Sequence, residues 1–138
     1  MMLNMIVTGE DSEPGLPPVL LAHGLFGSAR NLGGLARRLA ETRRVASVDM
    51  RNHGDSPRDP DHGYAALAGD LADVIAGQGG CADVVGHSMG GKAAMMLALT
   101  RPALVRRLVV LDIAPWAYGH SQIALIDAME AVDLMAVQ

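Results

Sequence analysis

Cysteine is almost absent: Cys81 is the only one, so no intramolecular disulfide can form. Its position at the head of an apolar run predicts a buried, reduced thiol. A reducing compartment is implied, and the cytoplasm is the expected location. Aromatic residues make up 3% of the chain and do not interleave with any basic block, which argues against a nucleic-acid partner. The net charge of −4 is spread through interspersed Asp, Glu and Arg and does not favour an anionic membrane surface. No apolar run approaches the roughly 18 residues of a membrane span. The opening "MMLNMIVTGE" has no basic n-region, sustained apolar stretch or small-residue cleavage site, so no signal peptide is expected.

What the sequence does contain is apolar: half of its 138 residues, enough for one folded unit with a real core. Four short runs, "VLLAH" (19–23), "VASVDM" (45–50), "ADVVGH" (82–87) and "LVVLDI" (108–113), are continuously apolar rather than alternating. Strands buried on both faces of a parallel sheet have this composition. Between them, Leu32, Leu35, Ala36 and Leu39, then Leu67, Leu71, Val74 and Ile75, recur at helical spacing. A third helix is expected to start directly after Ser88 and to end before Pro102. Alternating strand and helix predict an α/β fold with a mostly parallel sheet and flanking helices, whose ligand sits at the carboxyl ends of the strands. Those ends carry His23, Gly24, Asp49, Ser88 and Asp112. The rhythm changes at Pro115, after which Ile123, Ile126, Met129 and Val132 suggest a further helix. Residues 1–114 are therefore read as core and 115–138 as the start of a lid.

One stretch, "VVGHSMGGKAAM" (84–95), admits two chemistries. Gly86 to Lys92 fits the G-x-x-x-x-G-K of a phosphate loop, but the next residue is Ala93 where Mg²⁺ binding requires Ser or Thr. His87, Ser88 and Met89 also crowd side chains into the space where backbone N–H groups should face a phosphate. Gly86 to Gly90 fits G-x-S-x-G, a serine on a sharp strand-to-helix turn, with glycines where small neighbours are needed, a strand before it and a helix after it. The second reading is adopted. Acyl transfer then needs an oxyanion hole. Met89 supplies one backbone N–H, and the loop "HGLFGS" (23–28) supplies the other from Leu25, with Phe26 as the alternative.

"HGLFGS", "VDMRNHGDS", "GHSMGGKAAM" and "VVLDIAP" occur in this order along the chain and resemble successive motifs of the α/β-hydrolase superfamily, in particular the YbfF-type serine esterases. The resemblance covers about Val19 to Trp116. It implies Ser88 as nucleophile, Leu25 and Met89 as oxyanion donors, Gly86 and Gly90 as the elbow glycines, and Asp112 as the acid of the triad. A local brace on the backbone is the competing role for Asp112. An ester or thioester is the implied substrate, with no metal and no cofactor.

The base is the gap. The superfamily places its histidine last in the chain, and none of the five histidines fits. His23 belongs to the oxyanion loop, His87 is expected to point away from Ser88, and His53 belongs to a structural loop. His62 is expected to be exposed, and His120 comes too soon after Asp112. The chain is accordingly read as the N-terminal part of a hydrolase, truncated before the C-terminal strands, with "LVVLDI" as an exposed sheet edge prone to self-association. Under that reading the Ile123, Ile126 and Met129 stripe is either a lid face over an acyl pocket or plain helix packing. The alternative function is a catalytically inactive hydrolase fold serving as a binding or interaction module.

Overall fold

The computed structural model describes residues 1–10, 12–119 and 122–132; His120 lies outside them. Five strands form one sheet: β1 (Met5–Thr8), β2 (Val19–Ala22), β3 (Val45–Val48), β4 (Ala82–His87) and β5 (Val105–Leu111). Their spatial order is β1-β3-β2-β4-β5. β1 runs antiparallel to β3, and every other pair is parallel. The helices α1 (Gly33–Leu39), α2 (Tyr64–Gly77) and α3 (Met89–Thr100) connect the parallel strands, and α4 (Ile123–Glu130) follows the sheet.

The continuous apolar runs have the expected cause. All four residues of β2 and of β3 are buried, as are the first five of β4, because helices cover both faces of the sheet. Alternate residues divide between two cores. Leu20, Ala22, Ala46, Val48 and Val84 pack with Leu67, Leu71, Ile75, Ala94 and Leu97 of α2 and α3. Val19, Leu21, Val45 and Val85 pack on the other face against Ala36, with Leu32, Leu35 and Leu39 around it.

β5 differs from the sequence reading. It begins at Val105, three residues early, and stops at Leu111, leaving Asp112 and Ile113 beyond the strand. Its residues are exposed or half-buried because, among the described residues, it pairs only with β4 and forms the sheet edge. Cys81, expected to be buried, is half-buried, since it precedes β4 rather than lying within it. Val132 falls past the end of α4, and Ile123, Ile126 and Met129 are all exposed. No helix among the described residues is long and apolar enough to cross a membrane.

Buried polar groups brace the carboxyl end of the sheet. His23 is 2% exposed. Its Nδ1–H donates to the Gly24 carbonyl at 2.7 Å, and its Nε2 accepts the Met50 N–H at 3.0 Å. Both ring nitrogens are thus used by one neutral tautomer. The Asp49 carboxylate accepts the Ala29 N–H at 2.7 Å, Asn4 Nδ2–H at 2.8 Å and the Asp55 N–H at 3.0 Å. It therefore ties the loops after β2 and β3 to the segment before β1. Burial works to raise its pKa, but these hydrogen bonds outweigh that and hold it below the usual carboxylate range. Arg51 meets Asp70 of α2 through two bonds of 2.5 and 2.8 Å and donates to the Asp61 carbonyl at 2.6 Å. This folds the 51–63 loop back over the sheet.

Burial lowers the His23 pKa. Protonating Nε2 would also set one donor against another, the Met50 N–H. As pH falls through about 6.5 the unfolded chain binds a proton at position 23 that the folded chain resists, so stability declines. Asp49 and Asp83, both held low, add their loss of stability only below about pH 4. Urea midpoints measured from pH 7.5 to 5.5 should therefore fall in the native protein and fall less steeply in His23→Gln. Parallel slopes in the two proteins would contradict the role given to His23.

Candidate active site

β4 enters the site and α3 leaves it, with Ser88 as the single residue between them. Its backbone takes φ 49° and ψ −114°, a conformation that costs a non-glycine residue about 1–3 kcal/mol. The Ser88 N–H donates to the Leu111 carbonyl at 3.0 Å, and the Ser88 carbonyl accepts the Lys92 N–H at 3.0 Å. These bonds pin the serine to β5 on one side and to α3 on the other. The turn is possible only because two side chains are missing. A Cβ on Gly86 would lie 2.5 Å from the Gly90 oxygen, and one on Gly90 would lie 2.5 Å from the Ala22 oxygen and 2.6 Å from that of His23. The first turn of α3 therefore rests directly on the backbone at the end of β2.

That contact brings in the loop after β2. A Cβ on Gly24 would be 3.2 Å from Ser88 Cβ, so the loop runs alongside the serine. Gly27 N–H closes a turn onto the Gly24 carbonyl at 3.0 Å, and Phe26 at its corner has φ 62°. Among the described residues, the N–H groups of Leu25 and Phe26 have no backbone acceptor. Nor, among them, does the N–H of Met89, which at the first position of α3 has no carbonyl a turn earlier to receive it. The helix N-terminus also favours negative charge at this point.

Leu25, Phe26, Ser88 and Met89 line one cleft of about 520 Å³, so the structure brings the predicted nucleophile and both predicted donors together. Asp112 is placed differently. The β4–β5 register pairs His87 with Leu111, so Ser88 and Asp112 are the residues that directly follow two adjacent strands, at the same carboxyl end of the sheet. Asp112 is exposed with φ 57° and does not line the cleft, whereas Ile113 does.

Two histidines also line the cleft. One is His87, whose ring lies against Gly24. His62 is exposed, as expected, yet it also lines the cleft, with Nδ1 accepting from Asn52 Nδ2–H at 3.1 Å. Burial first, then the neighbouring His53 and Arg51, lowers the pKa of His62. Among the described residues, no imidazole hydrogen-bonds Ser88 Oγ.

The remaining walls come from Tyr64 and Leu67 of α2, Lys92 of α3, Tyr118, Gln122, and Leu125 of α4. Of α4 it is therefore Leu125, outside the stripe at 123, 126 and 129, that faces the cleft. The pattern of exposed residues gave no sign of this, because α4 has no buried residue from which a face could be read. Tyr64 and His62 were equally hard to foresee, since they arrive through the Arg51–Asp70 pair, which is distant in sequence. No group of acidic, histidine or cysteine side chains among the described residues could hold a metal ion.

An alanine at Gly90 would drive the elbow away from β2, at a cost of about 1–3 kcal/mol. Gly69→Ala on α2 meets nothing within 4 Å and should stabilise by up to about 1 kcal/mol through helix propensity. Denaturant midpoints of the two variants should therefore move in opposite directions. Equal midpoints would rule out the tight contact at Gly90.

The family model described as the α/β hydrolase fold matches residues 17–135. The chain is 48% identical over 129 residues to the sn-1-specific diacylglycerol lipase ABHD11 of Mus musculus, covering 90% of this chain and 42% of that protein. It is 44% identical over 143 aligned residues to Esterase YbfF of Escherichia coli, covering 100% of this chain and 56% of that protein. Among solved structures, one described as a marine microorganism esterase superposes with a TM-score of 0.84 at 34% identity, covering 96% of this chain and 52% of its own. The chain thus spans about half the length of the relatives it matches. By sequence, by fold and by the strained serine between β4 and α3, it belongs to the α/β hydrolase fold family.

Proposed function

We propose that the site performs serine-dependent acyl transfer, hydrolysing a carboxylic ester. The observation that carries this reading is the left-handed backbone of Ser88, in an open cleft lined also by Leu25 and Met89, whose N–H groups have no backbone acceptor among the described residues. Strain of this kind persists where the surroundings enforce it, and active sites are where it collects.

In the proposed reaction, Ser88 Oγ attacks the ester carbonyl carbon and gives up its proton to a base. The carbonyl oxygen becomes an anion, which accepts hydrogen bonds from the N–H groups of Leu25 and Met89. The C–O bond to the leaving alcohol then breaks as that oxygen regains the proton, leaving the acyl group on Ser88. Water attacks this ester in the same way and releases the acid. Asp112 serves as the acid member that orients the base, adjacent to the serine along the strand ends. The reading assigns no base among the described residues.

The relatives named esterase and lipase support an ester substrate, and the cleft agrees with it. Leu25, Phe26, Leu67, Ile113 and Leu125 give it an apolar lining beside Ser88, as binding of an acyl chain requires. The exposed β5 edge supports self-association as a further property.

In the protein isolated from its source cells, Ser88→Ala should lower hydrolysis of a p-nitrophenyl butyrate substrate by at least about 10³-fold, the order seen when a catalytic nucleophile is removed. Circular dichroism should be unchanged. Retention of more than about a tenth of the activity by the variant would refute the assignment, since losses at a true nucleophile are orders of magnitude larger.

A further inference from the structure

Lys92 stands one helical turn beyond Ser88 on α3, and the reaction described above makes no use of it. Its ammonium is not left to solvent. Nζ–H donates to the Trp116 carbonyl at 2.7 Å. The same Nζ lies 4.7 Å from the centre of the Tyr118 ring and 5.9 Å from that of Tyr64, both within range of a cation–π attraction. Tyr118 Oη in turn accepts the Ala114 N–H at 2.9 Å. One cation thereby joins the nucleophile helix, the start of α2 and the segment 114–118. The backbone of that segment has no regular structure to hold it in place.

Lys92 and Tyr64 also share a second property: both line the Ser88 cleft and also a neighbouring, open cavity of about 340 Å³. Met95, Met96, Leu99 and Trp116 make that second cavity strongly apolar. The pair is the partition between the two. An ammonium committed to a carbonyl and two rings is a poor receptor for a substrate anion, so recognition of a charged substrate is not its role. A partition beside an apolar cleft instead limits the length of the chain that can lie in it.

We propose that Lys92 is a positioning residue: it fastens segment 114–118 across the Ser88 cleft and closes the cleft from the neighbouring apolar cavity, setting the length of acyl chain that the site accepts. The chain-length statement rests on the ester-hydrolase reading; the fastening does not. Removing the tether frees the segment, and removing the side chain joins the two cavities. A longer acyl group then gains apolar contacts that a short one cannot reach.

Trp116 is the only tryptophan in this sequence, so in the 138-residue chain its fluorescence anisotropy reports the tether without any need for activity. Lys92→Ala should lower that anisotropy, and in the protein from its source cells it should raise the ratio of kcat/KM for p-nitrophenyl octanoate to that for the butyrate by about tenfold, the scale on which added methylenes discriminate in an apolar site. Lys92→Arg keeps a cation of similar reach and should preserve both values. Tyr118→Leu removes one ring without touching α3, and should reproduce the loss of anisotropy should Lys92→Ala fail to fold. Native anisotropy in both Lys92→Ala and Tyr118→Leu would overturn the tether. A lowered anisotropy with an unchanged octanoate-to-butyrate ratio would overturn the chain-length role. Hydrolysis that survives Ser88→Ala would remove the ester-hydrolase reading while leaving the anisotropy result to decide the tether.

Discussion

The site depends on a contact between two pieces of backbone, close enough that one of them can carry no side chain. Gly90 at the start of α3 rests against the carbonyls of Ala22 and His23 at the end of β2, at distances no Cβ could share. Everything near Ser88 follows from that approach. It sets how far the serine stands from the loop after β2, and therefore whether the N–H groups of Leu25 and Met89 can face one point. It also turns the N-terminus of α3 toward the cleft, where a developing negative charge is favoured. A glycine gives up conformational entropy on folding, and here that cost secures a geometry open to no other residue.

Strain at the serine requires a rigid surrounding, and the structure supplies it from polar groups as well as from the apolar core. His23 holds the first carbonyl of the loop after β2 while bonding across to the loop after β3. Asp49 fastens the same loop farther along, at Ala29, and the loop after β3 at Asp55. The Arg51–Asp70 pair bends residues 51–63 so that His62 and Tyr64 reach the cleft. Each of these groups is buried and hydrogen-bonded, as a low dielectric demands. A buried ion pair contributes little net stability against an apolar replacement. What these groups add is location, since His23 and Asp49 each join the end of one strand to the loop that follows another, and Arg51 joins the loop after β3 to α2. The apolar core holds the sheet and helices together, and the polar brace fixes where the loops at their carboxyl ends lie.

The sheet was legible because strands β2, β3 and β4 are covered on both faces and so read as unbroken apolar runs. The elbow was legible because a serine between two glycines, after a strand and before a helix, has few other uses. The limits of β5 were harder to read: as an edge strand it needs no apolar run, and "VRR" at 105–107 carries charge without leaving the strand. The side of α4 that meets the cleft was not readable, because apolar periodicity reveals a buried face and α4 has none. Lys92 was visible as a letter in a motif, but its partners Trp116 and Tyr118 lie 24 and 26 residues away, across β5, and local pattern carries no information about such contacts. His87 and His62 show the same limit, since the direction of a ring is set by tertiary neighbours.

The backbone geometry at Gly86–Gly90 is proposed to make Ser88 a nucleophile. The most direct measurement is to treat the protein from its source cells with a fluorophosphonate, digest it, and locate the adduct by mass spectrometry. An activated serine beside an oxyanion hole reacts with such a phosphorus centre far faster than an ordinary hydroxyl. One fast adduct is expected, on the peptide that contains Ser88. An adduct confined to another residue, or none after prolonged exposure of folded protein, would contradict it.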